Sequence, residues 1–196
     1  MGTTCILIGK VTNEIPYDKS NNHKLVEFKA GFYLPWYNTL REVYRGGGMD
    51  IEVAYSHPVH DYISAYFDAG YVLFFGKSLG FNQNTMLQML PLSAGAKGIY
   101  PIYKNFAKIY LAVGPRYYFA LQHNSSDYVP HNMNANNIGG FLNFGFLIER
   151  NEHFVLDVFV DTSYCEMRFS PSKTNVVREK IQVGGTVFGL GLGYTF

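Results

Sequence analysis

The sequence predicts an all-β protein, an eight-stranded antiparallel up-and-down transmembrane β-barrel. Three observations lead to this fold class. Apolar and polar residues alternate over long segments, as they do on the two faces of a β-strand. Several segments reach or exceed the roughly 9 to 11 residues that a tilted transmembrane strand needs. Charged residues make up 16% of the chain and aromatic residues 17%, so a surface wholly exposed to water would be short of charge.

Composition excludes several other classes. The chain of 196 residues is long enough for one domain. It contains no apolar run that approaches the roughly 18 to 20 residues of a membrane-spanning helix. The net charge of +1 produces no field that would attract nucleic acid. We therefore expect no nucleic-acid partner, and we expect any membrane crossing to depend on strands.

The alternation of apolar and polar side chains marks eight segments. In the clearest one, residues 107–122, Leu111 and Phe119 occupy odd positions, whereas Lys108 and Arg116 occupy even positions. Successive side chains of a strand point to opposite faces, so each segment has one apolar and one polar face. The other seven segments are residues 26–36, 49–55, 63–75, 90–100, 138–148, 154–164 and 181–196.

The connections between these segments alternate in length. Three are short and comprise residues 56–62, 101–106 and 150–153. Four are mostly longer and comprise residues 37–48, 78–85, 123–137 and 170–180. Short turns on one side and long loops on the other are typical of outer-membrane barrels. An even number of strands also places both termini on the side of the short turns, which would be the periplasmic side.

The barrel is predicted to span residues 24–196. Residues 1–23 do not follow the pattern, and we predict a leader or an extra segment there. The printed sequence shows no secretory signal, and we expect the precursor to carry one. In the last segment the apolar phase changes near Gly184 and Gly185, which predicts a β-bulge.

The polar faces carry most of the charge in the predicted strands. An eight-stranded barrel is just wide enough for side chains to fill it, and unpaired buried charges are costly. We therefore predict a plugged interior held by paired charges, while an ion path or a catalytic acid pair stays an alternative. The inward charges are Glu27, Lys29, Asp50, Glu52, Asp68, Lys97, Lys108, Arg116, Asp157 and Asp161.

The end of the chain carries a recognisable pattern. Its last strand places alternating hydrophobic residues on one face and closes on phenylalanine, and it resembles the insertion signal of bacterial outer-membrane barrels. Residues 90–119, a proline-started, glycine-rich strand followed by a short turn and an aromatic-ended strand, are similar to the opacity-protein and OmpW-type families. The residues of the terminal pattern are Phe188, Leu190, Leu192, Tyr194 and Phe196.

This resemblance implies a location in the outer membrane of a Gram-negative bacterium. It implies assembly by the outer-membrane insertion machinery and contact with the lipid bilayer and lipopolysaccharide. The expected functions are adhesion, envelope stability or the passage of small apolar molecules. The long loops, particularly residues 124–137 with Tyr128 and His131, are also candidates for binding an extracellular partner.

A second functional hypothesis concerns His123 and Ser125. They resemble the His-x-Ser element of outer-membrane lipid A deacylases, in which histidine is the base and serine the nucleophile. The resemblance departs at Ser126, where the family has asparagine, and Asp127 and Glu149 are the acids available to orient the histidine. An enzyme of this kind is the alternative to a non-enzymatic barrel.

A third hypothesis is a soluble, lipocalin-like barrel that carries an apolar ligand and turns its apolar faces inward. Its weakness is that all the charge would then lie outside, where there is too little of it. His57 and His60 flank a proline in a short turn, but two histidines without a third ligand do not predict a metal site. We therefore predict no metal and no cofactor.

Overall fold

The computed structural model describes residues 23–77, 83–103, 106–125, 131–150, 153–168, 170–171 and 180–196. The predicted segment of residues 1–23 therefore lies outside the described residues, except for His23. Within these ranges the elements are β1 (Leu25–Pro35), α1 (Asn38–Val43), β2 (Gly48–His60), β3 (Ile63–Lys77), β4 (Asn84–Tyr103), β5 (Ala107–Asn124), β6 (Asn132–Glu149), β7 (Phe154–Tyr164), β8 (Glu166–Arg168), β9 (Ser170–Pro171), β10 (Lys180–Gln182) and β11 (Gly185–Thr195).

The eight long strands close into one antiparallel barrel. Their order is β5-β4-β3-β2-β1-β11-β7-β6, and a further pairing between β5 and β6 closes the ring. The first and last strands lie side by side, with Leu25 opposite Thr195 and Pro35 opposite Gly185. A closed ring leaves no unpaired strand edge, as a structure surrounded by lipid requires. The predicted eight-stranded antiparallel barrel is confirmed.

Several strands are longer than predicted. β6 begins at Asn132 instead of residue 138, and its hairpin partner β5 extends to Asn124. The added part of β6 is rich in asparagine and still pairs residue by residue with β5, as far as His123 opposite Asn132. Apolar alternation stops where a strand leaves the lipid, although the backbone ladder continues into water. The pattern therefore underestimates strand length.

The predicted bulge at Gly184 and Gly185 is wrong. β11 pairs with β7 and with β1 in continuous register from Gly185 onward. Val183 and Val187 are buried inside, whereas Phe188 is exposed outside. The apolar phase changes because the interior itself becomes apolar at this height, and no extra residue is inserted.

The two rims of the barrel differ. The strand ends joined through the connections β1–β2, β3–β4, β5–β6 and β7–β11 lie at one end of the barrel, called the loop rim. The strand ends joined through the three other connections lie at the opposite end, called the turn rim, together with Lys24 and Phe196. The backbones of Lys24 and Phe196 pair with each other at the turn rim. At the loop rim, α1 packs Leu40 and Val43 against the buried interior. The helix therefore covers part of the barrel mouth.

The outer surface is apolar over the height of the strands. Outward positions of β1 and β11 carry Phe28, Phe32, Phe188 and Leu190, each at least 45% exposed. Trp36 lies at the loop rim and is half exposed, a position that suits an aromatic residue at a membrane interface. Such a surface is stable against lipid and costly in water. The lipocalin-like hypothesis is therefore wrong, since the apolar faces point outward.

Within the described ranges, no helix is long and apolar enough to span a bilayer.

At one place the backbones of β4 and β5 come so close that only glycine, which has no side chain, fits there. The ladder is interrupted between the pairs Ser93–Arg116 and Ala96–Val113. A Cβ on Gly114 would lie 2.1 Å from the carbonyl oxygen of Ala94. Backbone atoms cannot yield at that distance, so this part of the wall depends on glycine.

We predict that Gly114→Ala lowers the free energy of unfolding by about 1–3 kcal/mol, because the new methyl group forces the backbone to move. Gly140→Ala is the matched control, since its new methyl group would lie 3.9 Å from the carbonyl oxygen of Gly114 and the expected change is within about 0.5 kcal/mol. The measurement is urea-induced unfolding of the protein in lipid vesicles. Equal stability of the two variants would contradict the close approach.

Candidate functional site

The interior of the barrel consists of two main layers. The charged layer lies in the middle and towards the turn rim, and it contains the buried side chains of Glu27, Lys29, Asp50, Glu52, Asp68, Lys97, Arg116, Asp157 and Asp161. The apolar layer lies towards the loop rim, and it contains the buried side chains of Tyr33, Tyr44, Val72, Phe74, Leu87, Met89, Tyr118, Val183 and Val187.

The strands themselves determine this division. Inward positions recur every second residue, and along β3 they change from Asp68 to Val72 and Phe74 towards the loop rim. Along β5 they change from Arg116 to Tyr118 in the same direction. On both strands, charged side chains therefore lie towards the turn rim and apolar side chains towards the loop rim.

Two lysines hold the lower part of the charged layer. Lys29 Nζ lies 3.1 Å from Asp157 Oδ2, and Lys97 Nζ lies 2.7 Å from Glu27 Oε2. The Tyr110 hydroxyl donates to Asp157 Oδ2 at 2.8 Å. Lys97 Nζ also lies 4.1 Å from the centre of the Tyr110 ring, close enough for a cation–π contact. Each lysine thus has an acidic partner and an aromatic neighbour.

Arg116 organises the upper part of the charged layer. Its guanidinium binds Asp161 through two nitrogen–oxygen contacts of 2.6 and 3.0 Å, and it contacts Asp68 Oδ2 at 3.3 Å. Its Nε donates to Ser93 Oγ at 2.6 Å. A planar guanidinium suits this forked arrangement better than an ammonium group does. One cation thus joins side chains of four strands, β3, β4, β5 and β7.

The charged layer holds six carboxyl groups and three basic groups. The carboxyl groups therefore outnumber the cations. The Tyr66 hydroxyl donates a hydrogen bond to Glu52 Oε1 at 3.3 Å, so a tyrosine takes the place of a cation as the partner of this carboxyl group. The tenth predicted inward charge, Lys108, lies at the turn rim and pairs with the partly exposed Glu149. Sequence reasoning did not identify Tyr66 and Tyr110 as partners, although both occupy inward positions by phase.

The apolar layer is densely packed. The Tyr33 hydroxyl donates to the carbonyl oxygen of Val183 at 2.6 Å, and the rings of Tyr33 and Phe74 meet edge to face at 5.2 Å. Tyr44 follows α1 and packs against Phe74 at 5.5 Å. Burial raises the pKa of the Tyr44 hydroxyl, so that it stays neutral beside Thr85. The space among these side chains is too small for a water molecule.

The barrel wall next to the apolar layer has a gap in its backbone ladder. β3 and β4 pair at Ala69–Leu92 and resume at Val72–Met89. Pro91 lies between these pairs and has no N–H group to donate. The gap lies beside Val72 and Met89, at the boundary between the two layers.

His123 and Ser125 lie at the loop rim and are exposed on the outside of the barrel. His123 Nδ1 lies 2.8 Å from Asn132 Oδ1 on the neighbouring strand. Glu149 lies at the opposite rim, where its backbone N–H bonds the carbonyl oxygen of Phe106, so Glu149 as orienting acid is wrong. The other candidate, Asp127, lies outside the described residues.

The terminal pattern lies on the outer surface. All five of its side chains, Phe188, Leu190, Leu192, Tyr194 and Phe196, are exposed there. Its role as an insertion signal stays a prediction. Among the described residues, no group of three or more His, Cys, Asp or Glu side chains could hold a metal ion.

Comparison with solved structures identifies the fold. OprG from Pseudomonas aeruginosa, an outer membrane protein, superposes with a TM-score of 0.66 at 14% identity over 90% of this chain and 97% of that chain. Neisserial surface protein A gives 0.57 at 13% identity over 89% and 97%. The outer membrane protein AlkL in lipid bilayers gives 0.54 at 14% identity over 90% of each chain. This chain has the fold of the small outer-membrane barrels.

No protein-family model matches the sequence, and no curated protein matches it.

We predict that Arg116→Leu lowers the free energy of unfolding by about 3–5 kcal/mol, because it leaves Asp68 and Asp161 buried without their cation. Lys108→Ala removes a partly exposed pair at the rim and should cost about 1 kcal/mol or less. Denaturant-induced unfolding in lipid vesicles measures both changes.

A double-mutant cycle tests the ion pair between Arg116 and Asp161. Arg116→Leu combined with Asp161→Leu should be less destabilised than the sum of the two single variants, because both partners of the pair are then removed. Strict additivity of the two changes would contradict an ion pair between these residues.

Proposed function

We propose that this barrel of a bacterial outer membrane takes up small apolar molecules from outside the cell and releases them sideways into the bilayer. The observation that carries the proposal is the division of the interior into an apolar layer at the loop rim and a charged layer beneath it. The first layer offers a binding surface, and the second layer blocks the direct path to the periplasm.

The apolar layer has the chemistry of a site for an apolar ligand. Its walls are aromatic and aliphatic, with a few polar atoms such as the Tyr44 hydroxyl and Thr85 Oγ1, which lie 3.5 Å apart. Pockets for small apolar molecules combine such walls with a few polar groups that set orientation. A molecule that enters here leaves water and gains roughly 25 cal/mol for each Å² of apolar surface that it buries.

The charged layer makes onward passage through the barrel unfavourable. Lys29, Lys97 and Arg116 are almost wholly buried and are held by ion pairs. An apolar molecule would have to separate these pairs and supply no replacement contacts, at a cost of several kcal/mol. The lower-energy exit is through the side of the barrel.

The gap at Pro91 supports a sideways exit. Two pairs of the β3–β4 ladder are missing there, so a local widening breaks fewer hydrogen bonds than it would elsewhere along these strands. Val72 and Met89 border the gap from inside, and Tyr71 and Leu90 face the lipid beside it. A molecule that leaves here passes from one apolar environment to another.

Entry requires α1 to move. The space behind the helix holds no water-sized volume, and Leu40, Val43 and Tyr44 fill the mouth above Leu87 and Met89. The helix has only six residues, and none of them is fully buried. A short, partly exposed element of this kind opens at a lower cost than the strands do.

We predict that Tyr44→Ala increases the uptake of an apolar fluorophore, because among the described residues Tyr44 is the largest of the three side chains, Leu40, Val43 and Tyr44, that fill the mouth. An increase of up to about tenfold corresponds to about 1.4 kcal/mol of lost closing free energy. Tyr37→Ala is the matched control, since Tyr37 is exposed beside the same helix. Fluorescence of N-phenyl-1-naphthylamine entering cells that carry an intact lipopolysaccharide leaflet measures the rate.

Conductance of planar bilayers completes this experiment. Wild-type protein and the Tyr44 variant should both pass no measurable ion current, since the charged layer stays closed. Uptake by wild-type protein no faster than in cells without it, or a Tyr44→Ala rate equal to that of Tyr37→Ala, would contradict the proposal.

A second candidate function is hydrolysis of acyl esters in outer-leaflet lipids, and the contact between His123 and Asn132 favours it. When His123 Nδ1–H donates to the Asn132 amide oxygen, Nε2 remains as the basic nitrogen. Asparagine orients a catalytic histidine in this way in papain-like proteases. Ser125 follows His123 by two residues on the lipid side of the loop rim, where it could serve as the nucleophile.

This second candidate predicts that Ser125→Ala and His123→Ala abolish the release of acyl chains from lipid A, because they remove the nucleophile and the base. Asn132→Ala should lower the rate by a smaller factor. Mass spectrometry of lipid A incubated with the refolded barrel is the measurement, and Asn134→Ala on the same outward face is the control. Absence of acyl release by the wild-type barrel would eliminate the enzyme hypothesis.

A further inference from the structure

A groove of about 660 Å³ lies on the outside of the barrel at the loop rim, where α1 meets β1 and β11. It is separate from the apolar layer inside the barrel, although Tyr44 borders both. Leu34 and Phe188 form its floor, and Arg41 and Arg45 lie on the side of α1. Neither the proposed uptake nor the candidate esterase uses this groove. We call it the rim groove.

The floor of the rim groove is a continuation of the lipid-facing surface. Leu34 and Phe188 are 44% and 52% exposed and lie on the adjacent strands β1 and β11. Leu190 continues the same outward face towards the middle of the membrane. Trp36 Nε1 donates to Thr186 Oγ1 at 2.9 Å, which holds the indole at the membrane interface. An acyl chain could therefore run from the bilayer into the groove without crossing a polar surface.

The opposite side of the rim groove is basic. Arg41 and Arg45 are both exposed and are four residues apart. Within the described part of the chain, neither guanidinium forms an ion pair. Glu42 is the one carboxylate among the described residues that line the groove, so the two arginines leave it with a net positive charge.

We infer that the rim groove binds the phosphorylated headgroup of an outer-leaflet glycolipid of the lipid A type. Arg41 and Arg45 bind the phosphate, and Leu34 and Phe188 contact the first part of an acyl chain. Guanidinium groups match phosphate oxygens in charge and in geometry. An apolar floor that opens into the bilayer, directly below two cations, is complementary to a membrane lipid. A soluble anion has no acyl chain that could contact this floor.

The experiment is native mass spectrometry of the refolded barrel in non-ionic detergent micelles, titrated with diphosphorylated lipid A. The wild-type barrel should retain one lipid A molecule at concentrations where dephosphorylated lipid A and phosphatidylcholine do not bind. The double variant Arg41→Ala/Arg45→Ala should bind lipid A about tenfold more weakly, because it removes the charge-assisted contacts to phosphate. Arg41→Lys/Arg45→Lys should restore part of the affinity.

The control variant is Lys77→Ala/Arg168→Ala, which removes the same number of positive charges from exposed positions outside the groove. It should bind lipid A as the wild type does. Heat-modifiable gel mobility and circular dichroism establish that every variant is folded. Since the arginines lie outside the strands, we expect folding to be unaffected.

Three results would overturn the inference. One is equal binding of phosphorylated and dephosphorylated lipid A, which would mean ordinary contact with lipid. Another is an equal loss in the groove variant and the control variant, which would mean attraction by net charge. The third is complete displacement of lipid A by inorganic phosphate at equimolar concentration, which would mean a site for a soluble anion.

Discussion

Closure of the backbone ladder between β1 and β11 is the constraint on which the rest of the structure depends. A strand in lipid has no water to satisfy its N–H and C=O groups, so the sheet must close on itself. Closure with eight strands leaves an interior that only side chains can fill. It also assigns alternate residues to lipid and to the interior along every strand. The apolar surface, the charged layer and the apolar layer are all consequences of that assignment.

The interior combines two kinds of filling with different properties. The contacts in the charged layer are directional, since Arg116 requires Asp161 and Asp68 at particular positions. These contacts thereby favour one register of the strands over the adjacent registers. The apolar layer is held mainly by non-directional packing, with a directional contact from the Tyr33 hydroxyl to the carbonyl oxygen of Val183. Under the proposed uptake function, the charged layer keeps the barrel sealed while the apolar layer above it binds the ligand.

The sequence predicts well which side chains point into the barrel, but it predicts poorly which of these side chains pair with each other. Asp68 and Arg116 carry their charge on the opposite face from Phe67 and Tyr117, so phase alone assigns them to the interior. The choice of Asp161 as the main partner of Arg116 depends on the stagger between β5 and β7, which both pair with β6, and no local sequence pattern records that stagger. α1 was predicted as part of a loop, because six residues are too few for a helical period to appear. The bulge predicted at Gly184 is wrong because apolar residues at this height, such as Val183 and Val187, face the interior and not the lipid.

The pairing of the first strand with the last has a consequence for how the molecule forms. Leu25 pairs with Thr195, so this pairing joins residues from nearly opposite ends of the described chain. Loop closure over that distance is slow, and contacts of such long range delay folding. Until the last strand arrives, both β1 and β7 expose an open edge that would pair with any other extended chain. A newly made chain therefore needs protection during its transit through the periplasm until its C-terminal strand is in place.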